Sequence, residues 1–512
     1  MMRKLLVAAS AASILAIPSM GHAAGELRVG FTQDALTLDP ANHRKRETET
    51  IIRNLYDGLL TRDSKMQVVP ELAESWRQID PTTYEFKLRK GVKFHSGDEL
   101  TAEDIKFTFD RLTREGAMGG QTSPRKSLLG PLKEIKVADR LTVRFVLDKP
   151  WPILPAMLPF QEVVSKKFVE SVGSEGLATK TNGTGPFKLV EWRRGDAIIM
   201  ERFAGYYGGA AAIPPVGPAR VDRVIFKIIP ENASRVAALL AGDVDIINEL
   251  PASSMKQVAS NSGTQVVKVN GTRTFFVALN NAKKPFSDAR VRRALNHALD
   301  KKLIIDKVLF GTATPLNGVM SPDAFAFNAK LPEYPYDLAK AKKLLAEAGY
   351  PKGFEATIDT EGAFKDLAEA VAALLGKAGV KAKVQVWEGA VLTPIWREAE
   401  KRKERDMYFT SWGNGSLDPS DIMVPTLRTD GRGNSAGYSN PQVDKLLDDA
   451  EVEVDREKRR GMYLKAQELI NADAPWIFLW LPQDIYGVSK RLSGWQPSAD
   501  SRINLHDAAV GR

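Results

Sequence analysis

The chain of 512 residues contains no cysteine. That excludes a disulfide framework, a thiolate metal site, and the lipid-anchored form of bacterial export, which needs a cysteine at its cleavage site. Histidine is scarce too, with 5 in all. His43, His95, His297 and His506 lie beyond the N-terminal segment, far apart and without an H-x-x-x-H spacing. A histidine-rich metal centre is therefore not expected, unless the fold pairs distant residues.

Enzyme signatures are missing as well. There is no phosphate-binding P-loop and no G-x-S-x-G elbow. The string "GRGNSAG" at 431–437 has glycines but no lysine and no preceding strand, so it reads as a flexible loop. Two S-x-x-K strings begin at Ser123 and Ser253, but K-T-G and S-D-N are absent, and Pro124 directly follows the first serine. Carboxylates are too numerous to exclude a glycosidase pair, yet nothing singles out two of them. No catalytic residue, metal or cofactor is expected.

The N-terminus is informative. "MMRK" is a short basic region, "LLVAASAASILAI" is apolar but too short to span a bilayer, and "PSMGHAA" supplies small residues for cleavage. Residues 1–23 read as a secretory signal peptide cut after Ala23, which implies the periplasm. No later run of about 18 apolar residues suggests a membrane helix. The formal charge of +9 falls to +7 without Arg3 and Lys4. The densest basic run, "EKRKER", is interrupted by acids and reads as a solvated helix face, so nucleic acid is not an expected partner. The remaining chain is long enough for large cores in two or three lobes.

Residues 26–32 alternate apolar and polar as a strand, and 83–94 reads as a hairpin around Lys90 and Gly91. Thr101 is placed to cap a helix, with Asp104 three residues on and Ile105, Phe109 and Leu112 along one face. Residues 140–151 alternate again, so 56–151 looks like a small α+β insertion. Further on come a strand pair in 183–203, a strand at 221–230, and a helix and short strand in 232–247. Beyond Gly271, Ser287 precedes a helix whose Val291, Ala294, Leu295, Ala298 and Leu299 form one stripe. Asp337 caps another helix. Strand 355–360, helix 365–377 and strand 381–387 form a β-α-β unit, which implies a partly parallel sheet. Strand 474–480 returns toward the first lobe. The class is α/β, with two lobes and an insertion in the first.

Several segments occur together in order: "LDPANHRKRETETIIRNLYDGLL", "VVPELAESWRQIDPTTYEFKLRKGVKFHSGDELTAEDIKFTFDRL", "NGTGPFKLVEWRRGD", "FFVALNNAKKPFSDARVRRALNHALDKKLII", "PYDLAKAKKLLAEAGYPKGF" and "YSNPQVDKLLDDAE". With them the chain resembles the extracellular solute-binding proteins of the peptide/nickel family, the dipeptide, oligopeptide and glutathione receptors of ABC importers. The resemblance covers nearly all of the chain beyond the signal segment. It implies a two-lobed periplasmic binding protein with an additional small domain. Lobe I would comprise 24–55, 161–270 and 481–512, the inserted domain 56–160, and lobe II 271–480. The implied function is capture of a peptide or peptide-like solute between the lobes, by a monomer that delivers it to an ABC permease. A non-peptide cargo (oligosaccharide, opine-like conjugate or metal chelate) is the alternative on the same scaffold. A periplasmic hydrolase is the alternative of another class.

By the same resemblance, the cleft would be lined by the crossing segment Asn270, Gly271, Thr272 and Arg273, by Glu361 after the 355–360 strand, and by the run "SWGNGSLDPSD". From that run the candidates are Trp412, Asn414, Gly415 and Asp418. Trp412 would either stack on cargo or pack between the lobes, and Asp418 looks more like a turn determinant. Peptide-binding members of the family place an aspartate three residues after this tryptophan, where it holds the peptide ammonium; here that position is Gly415. The arginine that dipeptide receptors use for the ligand carboxylate is also missing from the loop "EGAFKD", where Glu361 or Lys365 could contribute.

Overall fold

The computed structural model describes residues 25–211 and 217–511. The expected signal segment lies outside the described residues.

Two chain segments join the halves of the molecule. Strand Trp476–Ser489 runs through both. Its first half pairs antiparallel with Arg273–Leu279 and Ala313–Pro315. Its second half pairs with Thr264–Asn270 and Ile246–Ile247. Because Thr264–Asn270 and Arg273–Leu279 are consecutive, the chain crosses once there and once at Pro482–Gln483. The backbone N–H of Gly271 donates to the Pro482 carbonyl at 3.0 Å, so the crossings touch. A side chain at Gly271 would bring its Cβ to 3.2 Å from that oxygen, which favours glycine at the contact.

On one side of the crossing, Glu26–Phe31 pairs parallel with Arg223–Ile228 and is followed by the antiparallel strands Ala197–Arg202 and Phe187–Arg193. Leu27, Val29 and Phe31 pack there with Ile198, Met200, Val224 and Phe226. On the other side, Phe354–Glu361 pairs parallel with Val380–Trp387, as expected of the β-α-β unit, with helix Lys365–Lys377 between them. Apolar burial of this kind supplies most of the driving force, at about 25 cal/mol per Å² removed from water. Asp359 is fully buried there, and its two oxygens accept the indole N–H groups of Trp387 and Trp396, each at 3.0 Å.

The insertion forms its own four-stranded antiparallel sheet, ordered Ala73–Asp80, Thr83–Leu88, Thr142–Leu147, Leu132–Asp139. Helix Ala102–Thr113 covers it, and Asp104 reaches back to the Thr101 N–H at 3.0 Å. The expected hairpin at 83–94 is not formed. Thr83–Leu88 pairs with Ala73–Asp80 and with Thr142–Leu147. Phe86 and Phe145 meet in this pairing, 4.9 Å apart and edge to face. Burial of those cross-strand aromatics outweighs the local turn signal. One cap also shifts by a residue: Asp288, not Ser287, receives the backbone N–H of Arg290 and starts helix Ala289–Ala298.

Beneath the cleft lies an ionic cluster centred on Glu49, in helix Arg46–Ile52. Its carboxylate accepts from Arg125 at 2.9 Å and from Arg502 at 2.8 Å, with all three side chains buried. Burial alone would raise the pKa of Glu49, but Arg125 and Arg502 pull it down further, to about 2. His43 is held neutral by burial and by Arg125, with its pKa lowered to about 4, so its Nε2 accepts from Arg125 at 2.8 Å.

Removing the Glu49 charge would leave buried Arg125 without its carboxylate partner and Arg502 with Asp500 alone. Glu49→Gln should therefore cost about 3–5 kcal/mol at neutral pH in urea unfolding. A carboxylate with a depressed folded pKa stabilises fully above its unfolded value of 4.5 and loses that contribution as pH falls toward about 2. The difference between wild type and E49Q should shrink across that window. A difference that stayed constant would refute the ionic account.

Candidate functional site

Between the two halves lies a cavity of about 780 Å³, within the range typical of small-molecule sites. Its lining comes from the segment before and within helix Arg46–Ile52, from the crossing strands, from 411–421, from Arg397 and Arg432, and from the C-terminal 500–502. Eight basic side chains line it against six acidic ones.

Which of these charges are free decides the chemistry. Arg125 and Arg502 are occupied by Glu49, and Arg502 also pairs with Asp500 at 3.0 Å. By contrast Arg44, Arg46, Arg273, Arg397 and Arg432 have no carboxylate within 4.0 Å among the described residues. Arg46 donates to Ser501 Oγ at 2.6 Å, and Ser501 in turn donates to Asp484. Arg273 donates to Ser411 Oγ at 3.2 Å. Burial lowers the pKa of Arg44, Arg273 and Arg397, and a neighbouring arginine adds to the effect in each case: Arg125 and Arg432 on Arg44, Arg46 on Arg273, and Arg432 on Arg397. Cations held this close, with no carboxylate in direct contact, favour an anion.

The free carboxylates lie around the other arginine pair. Glu249 is raised by burial and by its neighbours Glu47 and Asp484, and lowered by Arg46. Asp484 is raised by burial and lowered by Ser501, Arg46 and Arg273. The lining therefore contains two electrostatic groups: Arg397 and Arg432 over Trp412, with Arg44 coupled to Arg432 and donating to the Pro124 carbonyl and Ser127 Oγ, and a mixed group containing Arg46, Arg273, Glu47, Glu249 and Asp484.

Trp412 lies in strand Met407–Gly413, paired with Arg273–Leu279. Its indole N–H donates to the Asp421 carbonyl at 2.9 Å. Gly433 lies against the outer edge of the six-membered ring, where an added Cβ would come within 2.6 Å of Cη2 and Cζ3. The guanidiniums of Arg432 and Arg397 lie 5.1 and 5.7 Å from the ring centre. Trp412 therefore packs its ring edge and still presents a face to the cavity, between two cations.

The other sequence candidates separate into two sets. Arg273, Trp412 and Gly415 line the cavity. Asn270, Gly271, Thr272, Glu361, Asn414 and Asp418 do not, for identifiable reasons. Asn270 receives Gln483 at 3.3 Å, and Gly271 is held on Pro482. Thr272 and Asn414 are buried, with the Asn414 N–H donating to the Thr272 carbonyl at 2.8 Å. The Glu361 carboxylate packs against Gly389. Asp418 forms a buried two-point pair with Arg459, at 2.7 and 2.6 Å, and caps Ser420. Sequence reasoning missed Arg44, Arg46, Arg397 and Arg432; the last lies in the run read only as a flexible loop.

At Gly415 the opposite wall is Phe160, in the short helix Leu158–Phe160. A Cβ added to Gly415 would stand 3.3 Å from Phe160 Cζ. The ring is backed by Arg502, whose guanidinium lies 5.0 Å from its centre, and the Phe160 carbonyl accepts from Arg125.

Residues 67–434 match the family described as bacterial extracellular solute-binding proteins, family 5. The chain belongs to that family. It is 29% identical to a glutathione-binding protein of Pectobacterium atrosepticum, over 99% of this chain and 98% of the relative. It is 31% identical to heme-binding protein A of Haemophilus influenzae, over 84% of this chain and 82% of the relative. The solved structure of HbpA2 from Haemophilus parasuis superposes with a TM-score of 0.86 at 26% identity, covering 95% of this chain and all of the other. The fold is thus the two-lobed one of periplasmic binding proteins. Among the described residues, no helix is long and apolar enough to cross a membrane, and no group of three His, Asp or Glu could hold a metal ion.

Replacing Trp412 by alanine removes a packed ring and leaves the Asp421 carbonyl without its donor. Trp412→Ala should lower the unfolding free energy by about 1–3 kcal/mol in the absence of any ligand. An unchanged thermal midpoint would mean that the ring is purely a ligand platform.

Proposed function

We propose that this protein captures a small acidic peptide or peptide-like solute in the cleft and hands it to the membrane permease of an ABC importer. The importer role follows from the family. The cargo class rests on one observation: five cavity arginines lack a carboxylate partner. A solute with more carboxylates than amines would neutralise them, and its ammonium could face Glu47 and Glu249. Glutathione, bound by one of the relatives, has that composition. A non-peptide anion on the same scaffold is the alternative reading.

The finer features of the proposal follow the same lines. The chain acts as a monomer in the periplasm, after cleavage following Ala23. Its lobes comprise 24–55, 161–270 and 481–512 on one side and 271–480 on the other, with 56–160 inserted. The strand pairing that changes partners near Asn270 and Pro482 supports this division. It is a receptor and not an enzyme; no histidine lines the cavity to act as a base for Ser411 or Ser501.

Isothermal titration of the mature protein at low salt should show reduced glutathione binding at least about tenfold more tightly than trialanine. The preference should shrink as ionic strength screens the arginines. Equal affinity for the two peptides would refute the acidic-cargo reading, and hydrolysis of either would refute the receptor reading.

A further inference from the structure

We propose that the Trp412 end of the cleft is an anion subsite, formed by Arg44, Arg397 and Arg432, and that it receives a carboxylate of the cargo. The proposal reverses the polarity that peptide-binding relatives give this end, where an aspartate holds an ammonium. It rests on the reading of the cleft as the cargo site and adds how the cargo is oriented there.

Three independent features support it. First, the counter-charge is missing by construction. Gly415 supplies no carboxylate, and Phe160 occupies the space into which a side chain would grow, 3.3 Å from the added Cβ. Phe160 is itself fixed by Arg125 at its carbonyl and Arg502 at its ring. Second, the nearest acid is already committed. Asp421 accepts from the Ser416 N–H at 3.2 Å and from Ser416 Oγ at 3.1 Å, and burial raises its pKa. Third, the cations converge from both halves. Arg44 precedes helix Arg46–Ile52, Arg397 ends helix Gly389–Arg397, and Arg432 comes from the loop packed on Trp412. Arg44 and Arg397 each feel the repulsion of Arg432.

An anion between Arg397 and Arg432 would relieve that repulsion. Planar guanidiniums suit a carboxylate better than an ammonium could. A free α-ammonium at this end would meet three guanidiniums, with Asp421 already held by Ser416. The end once reserved for an amine thus selects against one.

The test needs no knowledge of the natural cargo. Crystals of the mature protein soaked in sodium bromide should show bromide between Arg397 and Arg432, and crystals of Arg397→Gln/Arg432→Gln should not. Bromide absent there in wild type, or present only at exposed arginines such as Arg77, overturns the subsite. Arg432→Lys should keep the bromide, which separates loss of charge from misfolding.

A second arm uses three probes: reduced glutathione, its glycine amide, and its γ-glutamyl α-amide. Arg432→Gln should weaken glutathione about tenfold or more. For the amide lacking the carboxylate seated at this end, the variant and wild type should bind alike. An equal loss for all three probes overturns the orientation. If bromide is seated but no probe binds, the subsite stands and the peptide-like cargo falls. If glutathione binds but bromide is absent, the subsite falls and the receptor reading stands.

Discussion

Glu49 is the side chain on which the cleft's character depends. Its carboxylate holds Arg125 and Arg502, two guanidiniums that also line the cavity. With Glu49 present, both act as fixed supports. Arg125 grips the backbone of Phe160, and Arg502 lies against its ring. Phe160 in turn covers Gly415. A single buried carboxylate therefore sets the wall that decides which group can enter at the Trp412 end. The arrangement also determines which arginines remain available to a ligand: Arg44, Arg46, Arg273, Arg397 and Arg432, and not the two beneath them. Burying such a cluster confers little net stability compared with an apolar core, but removing one member is costly. That asymmetry suits a wall that must not move when ligand binds.

The crossing strands permit the opposite behaviour. Among the described residues the chain crosses near Gly271 and again near Pro482, and the two crossings are hydrogen-bonded to each other. Arg44 and Arg46 precede the crossing at Gly271, and Arg273, Arg397 and Arg432 lie between the two crossings. In the proposed receptor role, an anionic cargo contacting arginines from both sides of the crossing would favour the form in which they face it together. The same electrostatics would draw anions into the cleft from solution.

Much of the fold was legible in the sequence, because long periodic segments specify their own elements. Helix Lys365–Lys377 lies where its pattern and flanks placed it, and the parallel pairing of Phe354–Glu361 with Val380–Trp387 follows from the β-α-β order. Thr83–Leu88 was misread as half of a hairpin because a local turn signal competed with distant partners invisible in the sequence. The site was harder to read. Arg273, Trp412 and Gly415 were found through family resemblance, and they line the cavity. Asp418 and Glu361 were found the same way, but the fold turns the first onto Arg459 and the second onto Gly389. Arg44, Arg397 and Arg432 come from three separate segments, and no spacing rule links them. Their significance lies in having no carboxylate within 4.0 Å among the described residues, and only the assembled structure can show that.

The loop from Ser411 to Asp421 shows how one family scaffold can change its preference without changing its shape. Two of its acids serve the loop itself: Asp418 anchors it to Arg459, and Asp421 closes it on Ser416. A third acid at position 415 would line the cavity without a partner inside the loop, unlike Asp421, which lines it but is held by Ser416. Its absence therefore removes ligand chemistry while leaving the loop's geometry intact. Phe160 then fills the space that a side chain would need, so restoring an acid would require moving a residue held from two sides by the Glu49 cluster. Arg432 faces the same indole from the neighbouring loop, which keeps its position because Gly433 lets the backbone lie against the ring's outer edge. The loop's fold, its missing acid and the added cations are thus mutually consistent, and together they favour an anion where an amine would otherwise bind.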